Sequence, residues 1–240
     1  MKKILDYFTA GEKLLWCISV LMILVPCFIF GGGSVLSLSA SLLGVTSLIF
    51  AAKGNPAAQA MMIVFCILYG IISYSFSYYG EMLTYMAMTG PMAVISLISW
   101  LKNPFNGDHS TVRVNSLSRT EFLLIPIPAA AVTVIFYFIL KYFHTANLLP
   151  STISVTTSFI AVYLTFRRSP YFAAAYASND IVLVILWSLA SLKNIEYLSV
   201  VMCFLAFLFN DIYGFISWRK MEKKQKAEDS GMQIKYQTGH

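Results

Sequence analysis

At 240 residues the chain is 58% hydrophobic and only 12% charged, with a mean hydropathy of +0.70, against about 25% charged residues in an average soluble domain. That composition excludes a water-soluble globular protein, and the net charge of +6 reads as a topology signal, with no nucleic acid as partner. At roughly 20 residues per crossing, the length allows at most about ten membrane spans.

The first apolar run, 14–30, has no small-residue cleavage site before the next run begins, so it reads as a membrane helix and not a leader. Gly31-Gly32-Gly33 reads as an outer turn, followed by runs at 35–52, 57–78 and 81–101. The turn Lys53-Gly54-Asn55-Pro56 leaves no room for a domain, so its flanking helices are antiparallel neighbours. Within the fourth run, Glu81, Tyr85, Thr89, Met92, Ser96 and Trp100 share one face, and Gly90-Pro91 predicts a mid-membrane kink. A polar connection, 102–120, splits the chain into halves. Runs at 121–142, 151–166, 171–192 and 196–218 follow, and the Lys- and Glu-rich tail 219–240 reads as a solvated end.

Eight spans place both termini on one side. Fifteen of the 17 Lys and Arg then fall on that side, and only Lys141 and Lys193 on the other. By the positive-inside rule both termini are cytoplasmic, in a multi-pass protein of the inner (plasma) membrane. Cys17, Cys27, Cys66 and Cys203 lie in apolar runs without a C-x-x-C pair, which argues against zinc or redox chemistry; no cofactor is expected.

An internal repeat is visible. Pro91 to Trp100 and Asn210 to Trp218 both finish in Ile-Ser-Trp before Lys or Arg, and stepping back 118 positions pairs Tyr197 with Tyr79 and Trp187 with Tyr69. Spans two to four resemble spans six to eight, and a single linking span makes the copies parallel. The expected fold is an all-α polytopic membrane protein of eight helices: one extra amino-terminal helix, then two three-helix bundles joined by a linker helix. The boundaries are an amino-terminal region 1–34, a first bundle 35–101, a loop and linker 102–150, a second bundle 151–218 and a cytoplasmic tail 219–240.

Acids inside lipid need a reason, since insertion costs about 2.5 to 3.5 kcal/mol each at the bilayer centre. Asn179-Asp180 and Asn210-Asp211 lie at similar depths on adjacent antiparallel helices. Tyr176, Asp180, Leu183 and Trp187 share one stripe, and Asp211, Gly214 and Trp218 another. Tyr69 and Trp187 lie deep, and Tyr85 belongs to the stripe of the fourth span. Such a set of rings, amides and carboxylates suits a flat ring bearing hydroxyl groups, although helix-to-helix hydrogen bonding is the competing use of the four polar residues. Tyr79, Trp100, Tyr197 and Trp218, at span ends, read as an interfacial belt.

Tyr171 to Asp180, Leu186-Trp187 and Asn210 to Trp218 resemble the carboxy-terminal signature of the PnuC family of nicotinamide riboside transporters; Ala51-Ala52-Lys53-Gly54, Tyr79-Gly80-Glu81 and Pro91-Met92 resemble its first bundle more weakly. The resemblance implies a core similar to the SWEET sugar carriers and a central site for a pyridine nucleoside. It also implies facilitated diffusion, with the substrate trapped by cytosolic phosphorylation. It assigns Asn179, Trp187, Asn210, Asp211 and Tyr213 to substrate binding, beside Asp180, Tyr69 and Tyr85 from the stripes. Ala93 stands where the family usually has Gln, and Ala57-Ala58-Gln59-Ala60 where an Asn-aromatic stretch is usual, which keeps thiamine, riboflavin and deoxynucleosides open as substrates.

Proton coupling and a homo-oligomer also stay open. A membrane enzyme is the rival class. Its requirements are unmet: His109, His144 and His240 form no zinc motif, no G-x-S-x-G exists, and Asp180 and Asp211 lack the flanking sequences of intramembrane aspartyl proteases. An assembly or sensor subunit is the remaining alternative.

Overall fold

Among the described residues, eight helices have the length and hydropathy to cross a membrane. The computed structural model describes residues 7–30, 34–75, 79–145 and 147–238, so the Gly31-Gly32-Gly33 turn lies outside the described residues. In chain order the helices are α1 Ala10–Phe30, α2 Val35–Ala52, α3 Ala57–Ser75, α4 Tyr79–Leu101, α5 Arg119–Tyr142, α6 Leu148–Phe166, α7 Phe172–Ser191 and α8 Leu198–Thr238. Seven of the eight begin and end within a few residues of the expected spans; α8 runs well past residue 218.

Local chemistry sets the helix ends. Thr9 and Glu12 form a capping box at α1: the Glu12 amide donates to Thr9 Oγ1 (3.2 Å) and the Thr9 amide to Glu12 Oε2 (2.8 Å). The helices α2 and α6 end alike, on left-handed residues, Gly54 (φ 67) and Arg168 (φ 55). The Gly54 and Asn55 amides donate back to the Ala51 and Phe50 carbonyls, and the Arg168 and Ser169 amides to those of Thr165 and Leu164. In α4 the expected kink is a π-helical turn, Thr84–Thr89, placed just before Gly90-Pro91. In a regular α-turn the Pro91 ring would press on the carbonyl four residues back, and the wider turn relieves that contact.

Within each half the three helices pack in sequence, α2 on α3 on α4 and α6 on α7 on α8. The halves meet through α2 with α8 and α4 with α6, which are equivalent pairs under the repeat; α5 lies on α6, and α1 on α2 and α8. This packing fits one extra helix followed by three, one and three. It needs close approach at Gly44, where a Cβ would stand 2.6 Å from Phe207 Cζ.

Two readings from the sequence require correction. Trp100 and Trp218 are not belt residues: they are 1% and 0% exposed, and their indoles donate to the Thr165 carbonyl (2.9 Å) and the Ala51 carbonyl (2.7 Å). An indole at a span end serves equally well as a bolt between helix ends when a helix-terminal carbonyl with a spare lone pair lies inside the bundle. Nor is the tail a solvated end at its root. The connection after α4 forms a hairpin, β1 Pro104–Phe105 and β2 Asp108–Val112, across the turn Asn106-Gly107, whose positive φ values (49 and 80) suit a two-residue turn. Asp108 accepts from the Ser110 amide and hydroxyl, which holds its carboxyl below the ordinary range. Gln225 of α8 then takes the place of a strand, accepting from the Val114 amide (2.8 Å) and donating to the Val112 carbonyl (3.0 Å), while Glu222 accepts from Ser116 Oγ (3.1 Å). Glu222 and Gln225 are buried by these contacts.

Candidate functional site

Six helices meet at one small chamber. Gly44 and Leu48 come from α2, Met62 and Phe65 from α3, Tyr85 and Thr89 from α4, Ser158 from α6, Tyr176, Asn179 and Asp180 from α7, and Phe207 and Asp211 from α8. Every helix of both repeats contributes, so the chamber lies where the two halves face each other. Its volume is about 30 Å³, far below the roughly 300 Å³ at which small-molecule sites begin. Admitting a nucleoside requires the helices to part.

Of the polar groups in the chamber, Asn179 has the fullest set of partners. Asn179 Oδ1 sits in a fork of three α6 hydroxyls, Thr157 (2.7 Å), Ser158 (3.1 Å) and Ser154 (3.3 Å). With its oxygen so occupied, the amide presents N–H groups as its remaining function. Asp180 and Asp211 line the same chamber from adjacent helices, and Asp180 Oδ2 is buried there without a hydrogen-bond partner among the described residues. Among the described residues no Lys, Arg or His lines the chamber.

A second cavity, about 60 Å³, opens toward the end remote from the termini. Phe65, Tyr69, Trp187, Tyr197, Phe204 and Phe207 form its aromatic walls, with Ser37, Ser73 and Glu196 as polar groups. Trp187 lies 5.5 Å from Tyr197, and Tyr69 packs against Tyr85 (4.5 Å) and Phe65 (5.5 Å). Phe65 and Phe207 belong to both cavities, with ring centroids 5.9 Å apart, and form the partition between them.

The expected site residues therefore separate into three groups. Tyr85, Asn179, Asp180 and Asp211 line the inner chamber; Tyr69 and Trp187 line the outer cavity. Asn210 and Tyr213 line neither. Asn210 Nδ2 donates to Ser19 Oγ of α1 (2.7 Å) and to the Ala206 carbonyl (2.7 Å), fastening the extra helix to α8. Tyr213 donates to Glu12 Oε1 (3.0 Å), a carboxylate that also receives Lys53 Nζ (3.2 Å). The physical reason is helical: neighbours in sequence lie about 100° apart around the axis, so Asn210 and Tyr213 cannot share the face of Asp211.

The hydroxyl fork and the Phe65–Phe207 partition were not foreseen. Ser151, Ser154, Ser158 and Thr165 recur at helical spacing in α6 and would have marked its inward face.

A family profile described as "Nicotinamide mononucleotide transporter" matches residues 34–220. The nicotinamide riboside transporter PnuC of Neisseria mucosa is 26% identical over 219 residues, covering 89% of this chain and 82% of that protein. A solved structure described as the vitamin B3 transporter PnuC superposes with a TM-score of 0.78 at 24% identity, over 91% of this chain and 94% of that one, and shows the same fold.

Proposed function

The chain belongs to the nicotinamide mononucleotide transporter family, and from that premise we propose that it carries nicotinamide riboside across the inner membrane by facilitated diffusion, with both termini in the cytoplasm. It is a multi-pass membrane transporter and not an enzyme. One observation carries the choice of substrate: among the described residues, the inner chamber is lined by two carboxyl groups and an amide and by no cation. A mononucleotide would bring a phosphate of about two negative charges against Asp180 and Asp211 with nothing to balance it, and desolvating such a charge unpaired is prohibitive. A riboside brings a positive pyridinium ring and neutral hydroxyls, which those carboxyl groups accept. The Neisseria mucosa relative is named for the riboside.

In this reading the aromatic outer cavity receives the ring, with Trp187 and Tyr69 as stacking surfaces. The inner chamber then takes the riboside against Asn179, Asp180 and Asp211, with Tyr85 beside them, once Phe65 and Phe207 part. Asn210 and Tyr213 support α1 and act on substrate only through α8. Cytosolic phosphorylation consumes the product and keeps the gradient inward. The domain division 35–101 and 151–218 as two bundles with 102–150 between them is supported by the repeated helix contacts.

The experiment is competition binding on the purified protein. Nicotinamide riboside should displace bound labelled riboside at a concentration at least tenfold below nicotinamide mononucleotide, thiamine or riboflavin. Equal displacement by the mononucleotide would overturn the charge argument.

A further inference from the structure

Where α5 enters the membrane, a cleft of about 560 Å³ opens between its first turns, the α6–α7 turn and the part of α8 just beyond Trp218. Its upper wall is cationic. Glu222, buried at the base, holds Arg219 Nη1 (2.6 Å) and Lys226 Nζ (2.8 Å), and the Arg219 guanidinium also lies over the Tyr171 ring at 5.3 Å. Arg119 completes the wall, is exposed, and makes no ion pair among the described residues. Three cations and one carboxylate leave the cleft with two formal positive charges. Its lower wall is apolar and faces lipid: Phe122 and Leu123, on the next turn of α5, are 58% and 74% exposed.

We propose that this cleft is a binding site for an anionic phospholipid, with the phosphodiester against Arg119, Arg219 and Lys226 and the acyl chains over Phe122 and Leu123. The charge complementarity selects an anionic headgroup, since basic pockets beside membrane helices attract such lipids. The adjoining apolar wall selects a lipid over a free anion, because a phosphate ion would leave Phe122 and Leu123 unused. The bound lipid would bridge the linker helix α5 to the extended α8, across a gap that the protein leaves unfilled. The inference is independent of what is transported.

The test uses the delipidated full chain with phosphatidylglycerol, phosphatidylcholine or inorganic phosphate, reading bound lipid by native mass spectrometry. Phosphatidylglycerol should be retained, phosphatidylcholine lost, and phosphate should not displace the anionic lipid. Arg119→Gln and Lys226→Gln leave the Arg219–Glu222 bridge whole and should each weaken phosphatidylglycerol binding about fivefold. Retention of both lipids alike, displacement by phosphate, or unchanged binding in both variants would overturn the proposal. Should the variants not fold, phosphatidylglycerol with a photoreactive headgroup, applied to the parent chain, should label peptides within 116–123 or 219–226; labelling confined elsewhere would overturn it.

Discussion

Trp100 and Trp218 stand 118 positions apart in the chain and 5.4 Å apart in space, and each bolts its own half of the protein to the other. The indole of Trp100, on α4, donates to the Thr165 carbonyl of α6; that of Trp218, on α8, donates to the Ala51 carbonyl of α2. The preceding serines repeat the exchange: Ser99 Oγ donates to the Phe166 carbonyl (3.0 Å) and Ser217 Oγ to the Ala52 carbonyl (2.7 Å). Ala51 and Thr165 occupy the same place in their helix-ending motifs. The exchange is therefore symmetric, and it holds the terminal side of the bundle shut.

Removing either bolt should cost the same. Trp100→Phe and Trp218→Phe each keep an aromatic ring and leave the Thr165 or Ala51 carbonyl with only its backbone donor, a loss of about 0.5 to 1.5 kcal/mol. Thermal unfolding of the purified variants should show midpoints lowered by similar amounts. A large drop for one and none for the other would contradict the symmetric clasp.

Thr157 makes the shortest bond to Asn179. Thr157→Val removes it and leaves the amide oxygen the two longer bonds from Ser158 and Ser154, so riboside affinity should fall roughly 2-fold to 12-fold, the equivalent of about 0.5 to 1.5 kcal/mol. Thr157→Ser should restore it. Titration calorimetry on the two variants reads both effects, and loss of binding in both would assign Thr157 a packing role instead.

Trp187 and Tyr69 predict a stacking surface in the outer cavity. Trp187→Ala should weaken binding by about 1 to 3 kcal/mol, the range for a base stacked on an aromatic ring, or roughly 5-fold to 150-fold. Binding as tight as that of the parent chain would place the ring elsewhere.

Much of this was legible in sequence, because hydropathy and helix period are local properties. The spans and the buried stripe of Glu81, Tyr85, Thr89 and Ser96 follow from residues a few turns apart, and the Ile-Ser-Trp repeat and the similar depth of Asp180 and Asp211 from counting along the spans. What failed depended on distant partners. A tryptophan at a span end looks the same whether it faces headgroups or a carbonyl of another helix, so Trp100 and Trp218 were misplaced. The family resemblance placed Asn210 and Tyr213 with Asp211 at the substrate, yet their partners, Ser19 and Glu12, lie on a helix whose position no local pattern reveals. Gln225 likewise reads as tail until the hairpin it completes is seen; the Asn106-Gly107 pair was the available sign of that hairpin.

Orientation can be read from the hairpin directly. In a chain whose native cysteines are replaced, a cysteine at His109 should be shielded from an impermeant maleimide in intact cells, and one at Lys193, beyond α7, should react. Labelling of the His109 position from outside would invert the proposed topology. The Gly32 and His240 positions, where the same labels are expected to read exposed and shielded, lie outside the described residues.

The most direct test of facilitated transport is uptake of labelled nicotinamide riboside into liposomes that hold the purified protein and no kinase or nucleotide. The internal concentration should rise to the external value and stop there, with the same endpoint whether or not an inward proton gradient is imposed, and Asp180→Asn or Asp211→Asn should weaken binding and uptake together. Accumulation above the external concentration under the gradient, abolished by either Asp→Asn change while exchange of bound riboside persists, would make a proton carried at Asp180 or Asp211 the driving ion and contradict the facilitator.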